Sequence, residues 1–263
     1  MSETNTPISP KQDLLSLCKE IAKEFEGWSY TAGTFKYKSL KHTELQIKTF
    51  WSFNGLRGTI APAVCIKNKK IEKLYHEITG EVPNSWDWTF LLHHEQQRPE
   101  KYHSARYHIF RHRNSMGNHG WEKYYLTLEQ APEFIRAVLQ DGIDIIEQQY
   151  HLDSERTLLG NLPEEYHTVV AGTYCQLYEE GEGIKYCLAR ILLGDFDYVE
   201  RYYRDEIKTV QTKCKEDLEK ILAVLPELKK RDFKVSENLK GENLKGQTSD
   251  KKVEIAAKRN LNR

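Results

Sequence analysis

The feature that most constrains the fold is an alternating segment, TELQIKTFWSF, at residues 43–53. Apolar, aromatic or threonine side chains recur at every second position: Leu45, Ile47, Thr49, Trp51 and Phe53. The polar residues Glu44, Gln46 and Lys48 alternate with the first of them. A period of two indicates a β-strand with one buried and one polar face. The segment therefore predicts one strand across residues 43–53.

Strand patterns recur on both sides of this segment, at residues 34–38, 58–68, 86–93 and 105–112. Pro62 lies inside the second of these patterns, and a proline there indicates an edge strand or a bulge.

Three amphipathic helices are predicted around the strands: one that begins at Pro10 and ends before Gly27, and two at residues 69–79 and 128–149. Gly142 lies on the apolar face of the third helix, where the small residue permits close packing. The order of elements predicts an α+β fold, with an antiparallel sheet of about five strands packed on helices.

Beyond residue 160 the pattern is helical. The glycines at 181–183 and the pair at 194–195 predict breaks between successive helices. Apolar residues from Phe196 to Leu225 recur in steps of three and four, which predicts one nearly straight helix of roughly thirty residues. The part of this helix beyond Thr212 is a candidate seam for a homodimer.

The end of the chain has no core-forming pattern. ENLKGENLKG, at residues 237–246, is a five-residue duplication, and a disordered basic tail is predicted. The predicted organisation is a sheet domain at 1–160, an all-helical region at 161–233 and the tail at 234–263.

Charge and composition argue against several classes of protein. The chain has 39 basic and 39 acidic residues, so a nucleic-acid partner stays open but gains no support from net charge. From Lys229 to Arg263 there are eleven basic and five acidic residues, so residues 1–228 have 28 basic and 34 acidic ones. Five scattered cysteines, no apolar run of membrane length and a polar start predict a cytoplasmic protein with no membrane association.

Six of the ten histidines lie between residues 93 and 121, in HHEQQRPEKYHSARYHIFRHRNSMGNHGW. Arginine, tyrosine, tryptophan and histidine suit a surface that binds a partner. The predicted binding residues are Tyr102, Arg106, Tyr107, His108, Arg111, Arg113, His119 and Trp121.

The same segment has an alternative interpretation as a metal site. Histidine and carboxylate side chains that converge from neighbouring strands suit zinc, and the candidates are His94, Glu95, His108 and His112. However, the HExxH pattern is missing because Arg98 takes the place of its second histidine, and nearby arginines oppose a cation.

A further alternative is a metal-dependent nuclease. Its strand needs a second carboxylate two positions before a lysine, but Gln46 occupies that position between Glu44 and Lys48. No glycine-rich phosphate loop and no nucleophile motif occurs, so the sequence predicts no cofactor and gives no motif support for nucleotide binding.

A run of elements carries a likeness to known proteins. The first helix ends at Gly27 and Trp28, and FKYK, TELQIKTFWSF, GTIAPAVCI and LEQAPEFIRAVLQ follow in order. Residues 10–160 thus resemble a bacterial family of domains of unknown function, some of them immunity-like, which implies a curved antiparallel sheet with flanking helices. LARILLGDFDYVERYYRDE resembles a helical hairpin of tetratricopeptide type.

These observations predict a bacterial non-catalytic binding protein, immunity-like or defence-associated. It would dock a macromolecular protein partner through the histidine- and arginine-rich sheet edge. The alternative is a metal-dependent hydrolase or nuclease that uses the histidine cluster.

Overall fold

A computed structural model describes residues 10–54, 57–81, 89–102, 107–110, 125–163, 176–206, 212–231 and 233. The helices are α1 (Pro10–Lys23), α2 (Lys69–Thr79), α3 (His94–Gln97), α4 (Ala131–Gln149), α5 (Glu155–Gly160), α6 (Gln176–Leu192), α7 (Phe196–Glu206) and α8 (Thr212–Leu228). The strands are β1 (Ser29–Thr31), β2 (Thr34–Tyr37), β3 (Thr43–Lys48), β4 (Ser52–Asn54), β5 (Arg57–Ile60), β6 (Ala63–Asn68), β7 (Phe90–His93), β8 (Tyr107–Phe110) and β9 (Tyr125–Thr127).

The main sheet has five antiparallel strands in the order β1-β2-β3-β6-β7, which confirms the predicted α+β class and its antiparallel sheet. A second sheet, in the order β4-β5-β8-β9, was not predicted, and its β8 and β9 run parallel. No helix in the ranges above combines the length and apolar character that a membrane span requires.

The alternating segment at residues 43–53 is divided between the two sheets. β3 ends at Lys48, Phe50 has a positive φ of 45°, and β4 begins at Ser52 in the second sheet. Thr49 holds the bend, because its Oγ1 donates to the Gly33 carbonyl at 2.8 Å and its own carbonyl accepts from Ala61 N at 3.0 Å. The prediction of one strand over residues 43–53 is therefore wrong.

Pro62 marks a second division of the same kind. β5 and β6 belong to different sheets, and Ala61 and Pro62 connect them. β6 lies between β3 and β7, so it is an interior strand, and of the two predicted alternatives, an edge strand or a bulge, the edge strand is wrong. Proline fits the connection because it has no N–H to contribute to a ladder.

The core lies between one face of the main sheet and the helices. Leu45 and Ile47 of β3 pair with Ile66 and Val64 of β6, and all four side chains are buried. A Cβ on Gly142 would lie 2.6 Å from Cδ1 of Ile47, so α4 approaches the sheet as closely as the predicted role of that glycine requires.

The helical region packs on the sheet domain through α2. This helix contacts both α6 and α8, and one hydrophobic cluster runs from Leu14 to Leu228. Residues 10–160 and the helices after them therefore share one core. The tail at 234–263 lies outside the described residues.

Two details of the helical region differ from prediction. α6 continues through residues 181–183, so no break occurs there, whereas Gly194 (φ 85°) does separate α6 from α7. Lys229 Nζ lies 3.1 Å from Glu200 Oε1, although one straight helix would separate these residues by about 43 Å. α7 and α8 are therefore antiparallel neighbours, and the prediction of a single long helix is wrong.

The apolar side chains that suggested a homodimer seam are already covered within the chain. Leu218, Ile221 and Leu225 of α8 are all buried, and α8 contacts α2, α6 and α7. A seam on this stripe would require the helix to leave its present position.

The hairpin between β1 and β2 turns through two residues with positive φ, Ala32 (51°) and Gly33 (79°). A two-residue turn of this kind favours asparagine followed by glycine, and an alanine in the left-handed region is strained by about 1 kcal/mol. We expect Ala32→Asn to raise the free energy of unfolding by about that amount. Urea denaturation measures the change.

Gly33→Ala is the matched control for this prediction. No atom lies within 4 Å of a Cβ built there, so only backbone strain is added, and stability should fall by about 1 kcal/mol. Equal effects of the two substitutions, or a loss of stability with Ala32→Asn, would contradict the assigned turn.

Candidate functional site

Most of the predicted binding surface lies outside the described residues, namely Arg106, Arg111, Arg113, His119 and Trp121. Tyr107 and His108 are placed on β8 between β5 and β9. Tyr102 is in the core at 2% exposure, so its predicted role as a surface contact is wrong. The partner-binding surface and the immunity-like role stay predictions.

His94, a candidate metal ligand, is also part of the core. Its exposure is 0%, and its Nε2 lies 3.0 Å from the Val138 carbonyl of α4, to which it donates. The Tyr102 ring meets it edge-on with centroids 5.2 Å apart. Burial lowers the pKa of His94 to about 4, so the ring is neutral and the proton lies on Nε2.

Asp141 completes a polar cluster between α4 and the segment after β7. Its two carboxylate oxygens accept from Lys101 Nζ at 2.6 Å and from the Tyr102 hydroxyl at 2.9 Å. These bonds, with that of His94, fix residues 94–102 on α4. The cluster is a structural connection between a helix and a sheet edge.

The remaining metal candidates are not brought together in the described part of the chain. Glu95 is half-buried on α3, and His112 lies outside the described residues. Within the described ranges, no three histidine, cysteine, aspartate or glutamate side chains are placed to hold one ion. On β3, Gln46 Nε2 donates to Glu44 Oε1 at 2.6 Å. Gln46 occupies the position where a metal-dependent nuclease would have its second carboxylate, and it binds the carboxylate that is present.

A different site lies at the end of the main sheet, between α1 and the β1–β2 hairpin. We name it the basic aromatic pocket; its lining residues are Lys11, Leu15, Lys19, Tyr30, Ala32, Gly33, Thr34, Lys48, Phe50 and Trp51. Its volume of about 560 Å³ falls in the range of small-molecule sites.

Helix α1 supplies one wall of the pocket. Lys11, Leu15 and Lys19 follow each other at intervals of four residues and so form one stripe along the helix. The two lysines are exposed, and about 12 Å of helix axis separates them. Cations therefore stand at both ends of an apolar centre.

The sheet supplies a third cation beside an aromatic ring. Lys48, the last residue of β3, is 8% exposed, and its Nζ lies 6.0 Å from the centroid of Phe50. Among the described residues that line the pocket, three are lysines and none is acidic. The pocket is thus locally basic, although residues 1–228 as a whole have more acids than bases.

Trp51 and Tyr30 form the aromatic floor of the pocket, and contacts with neighbouring side chains hold both rings in place. Trp51 Nε1 donates to the Tyr30 hydroxyl at 3.0 Å, and the Tyr30 ring packs on Phe35 with centroids 4.7 Å apart. The buried Cys18 thiol lies beside Tyr30 and Trp51, and burial raises its pKa to about 12. Cys18 is therefore a neutral packing group rather than a nucleophile.

Backbone strain also converges on the pocket. In the described ranges, two residues other than glycine have positive φ, Ala32 and Phe50, and both line the basic aromatic pocket. Such conformations persist where the surroundings impose them, and they cluster at functional sites. The pocket therefore combines charge, aromatic surface and strain.

Comparisons with protein-family models, with curated proteins and with solved structures gave no match to this chain.

Proposed function

We propose that this chain is a non-catalytic binding protein that takes up a small anionic ligand in the basic aromatic pocket. The observation that carries the proposal is the convergence of Lys11, Lys19 and Lys48 on one pocket whose described lining includes no carboxylate. Lysine ammonium groups bind anions as point charges that adapt to the ligand.

The volume and the walls support a ligand rather than a flat contact. A pocket of about 560 Å³ is concave and large enough for a small molecule, and Leu15 places apolar surface between the two exposed lysines. An anion that enters leaves water for partly apolar surroundings, where its attraction to a lysine is stronger than in bulk solvent.

The lining supports binding rather than acid–base chemistry. Burial raises the pKa of Tyr30 above its ordinary range, so its hydroxyl stays protonated, and its oxygen accepts from Trp51. Cys18 is likewise protonated beneath the floor. Neither group is poised to remove a proton from a ligand near neutral pH.

The test uses inorganic tripolyphosphate as a probe of the anion site, titrated calorimetrically into the full chain. We expect Lys19→Gln to weaken binding about tenfold, because one charge-assisted contact is worth at least about 1.4 kcal/mol. Lys73→Gln is the matched control, since Lys73 is an exposed lysine of α2 that does not line the pocket. Affinity should also fall as ionic strength rises.

Two results would count against the anion site. One is the absence of measurable tripolyphosphate binding to the intact chain. The other is an equal loss of affinity in Lys19→Gln and Lys73→Gln, which would indicate a diffuse charge effect rather than a defined pocket.

A further inference from the structure

We infer that the ligand of the basic aromatic pocket is a free nucleotide, with its base on the aromatic residues and its phosphates on the lysines. The inference rests on the proposed function and adds the chemical class of the ligand. It is carried by the placement of ring surface and cationic groups in one enclosure: Phe50, Trp51 and Tyr30 beside Lys11, Lys19 and Lys48.

The Phe50 ring is placed to stack with a ligand rather than to fill the core. Its positive φ takes it out of the regular alternation of β3, and its ring packs on an apolar cluster formed by Ala63, Cys65 and Leu91. The residue is half-buried and also lines the pocket. A ring supported on the sheet and half-open to the pocket is the arrangement on which a planar base stacks.

Trp51 contributes a second ring of fixed orientation. Because its indole N–H donates to the Tyr30 hydroxyl, the hydrogen-bonding edge is occupied within the protein, and the half-buried ring offers the ligand its apolar surface. Stacking accepts every base, since each has a π-face, so discrimination among bases should be weak.

The lysines match the other part of a nucleotide. Lys11 and Lys19 lie at the two ends of the α1 wall, and Lys48 lies beside the Phe50 ring. A phosphate chain that extends from a base on Phe50 meets a cation near the ring and another on the helix. The pocket thus offers phosphate contacts through side chains, which a search for glycine-rich phosphate loops does not detect.

The charge distribution favours a free nucleotide over a long nucleic-acid strand. Residues 1–228 contain 28 basic and 34 acidic residues, so a long polyanion gains no attraction from the body of the protein. The pocket lysines act over about one Debye length, roughly 8–10 Å, which covers a nucleotide but not an extended strand.

The experiment compares ATP with inorganic tripolyphosphate on the full chain, by calorimetry under identical conditions. ATP should bind about tenfold tighter, the factor expected from one stacked base. Phe50→Leu should remove most of this preference while tripolyphosphate still binds, because leucine keeps apolar contact with the sheet but has no ring. Phe25→Leu is the control, since Phe25 is a partly buried phenylalanine that packs on the main core and does not line the pocket.

Each outcome separates the inference from the proposed function. Equal affinities for ATP and tripolyphosphate would overturn the nucleotide inference and leave the anion site standing, whereas no binding of either probe would overturn both. Equal effects of Phe50→Leu and Phe25→Leu would also overturn the inference. A single-stranded oligothymidylate that bound more tightly than ATP would overturn the free nucleotide in favour of a strand. A retained ATP preference in Phe25→Leu together with its loss in Phe50→Leu supports the inference.

Discussion

Gly142→Ala should lower the free energy of unfolding by about 1–3 kcal/mol, the usual range for overpacking a core. A Cβ at this position of α4 would lie 2.6 Å from Cδ1 and 2.8 Å from Cγ1 of Ile47, which is fully buried on β3. The main sheet and the helix would have to separate, because the Ile47 side chain is enclosed and cannot move away. Urea denaturation of the two proteins measures the loss.

The sign of this effect should reverse when Ile47 is shortened. Ile47→Ala is itself expected to cost about 2–5 kcal/mol, but it removes Cδ1, Cγ1 and Cγ2 of Ile47, the three atoms nearest the added Cβ. In that background Gly142→Ala should stabilise by up to about 1 kcal/mol, because alanine is the better helix former. The double-mutant cycle measures this coupling.

Gly160→Ala is the control for the cycle. Gly160 is also helical, but nothing lies within 4 Å of a Cβ built on it, so its effect should be the same with isoleucine or alanine at position 47. If Gly142→Ala changed stability equally in both backgrounds, the close approach of α4 to β3 would not be what requires the glycine.

The parts of the fold that sequence predicts well are those with local signals. The predicted helix at 69–79 has the observed bounds of α2, because Asn68 caps its first turn by accepting from Lys70 N and Ile71 N, and Gly80 ends it at φ 74°. The close packing at Gly142 is predictable because its position on an apolar helix face follows from a period of 3.6. Each of these signals lies within a few residues of the feature it predicts.

The sequence does not predict the points at which the chain changes the sheet or helix that it packs against. The alternation at residues 43–53 continues while the chain passes from one sheet to the other at Thr49–Trp51. The apolar stripe from Phe196 to Leu225 likewise continues although α7 and α8 are antiparallel neighbours, because both helices bury their stripes in one core. Periodicity indicates which face of an element is buried, but it does not indicate which other element covers that face.

The candidate site shows the same limit. The histidine-rich segment is conspicuous by its composition, yet two of its described members, His94 and Tyr102, are core residues. The basic aromatic pocket is assembled from three separate stretches, within 11–19, 30–34 and 48–51, and only the fold brings them together. The sequence does not predict the positive φ of Ala32 and of Phe50 either, because glycine and asparagine are the residues that indicate a positive φ.

The buried histidine gives the protein an expected dependence of stability on pH. The pKa of His94 is lowered by burial to about 4, whereas an unfolded chain titrates near its ordinary value of about 6.5. Between these values the unfolded chain binds a proton that the folded protein does not, so stability falls as pH falls. From about pH 7 to below pH 4 the loss amounts to about 3 kcal/mol, of which about 2 kcal/mol is reached at about pH 5.

His94→Gln should remove most of this slope, because glutamine offers an N–H for the Val138 carbonyl but does not titrate. Burial also lowers the pKa of His93 and of His42, so the variant keeps a smaller slope of the same sign. The carboxyl of Glu24, whose pKa is lowered by its hydrogen bond to Arg136, contributes only in more acidic solution. Urea denaturation at about pH 7 and about pH 5 isolates the histidine window. An equal decrease in the intact chain and in His94→Gln would show that His94 is not the group that titrates.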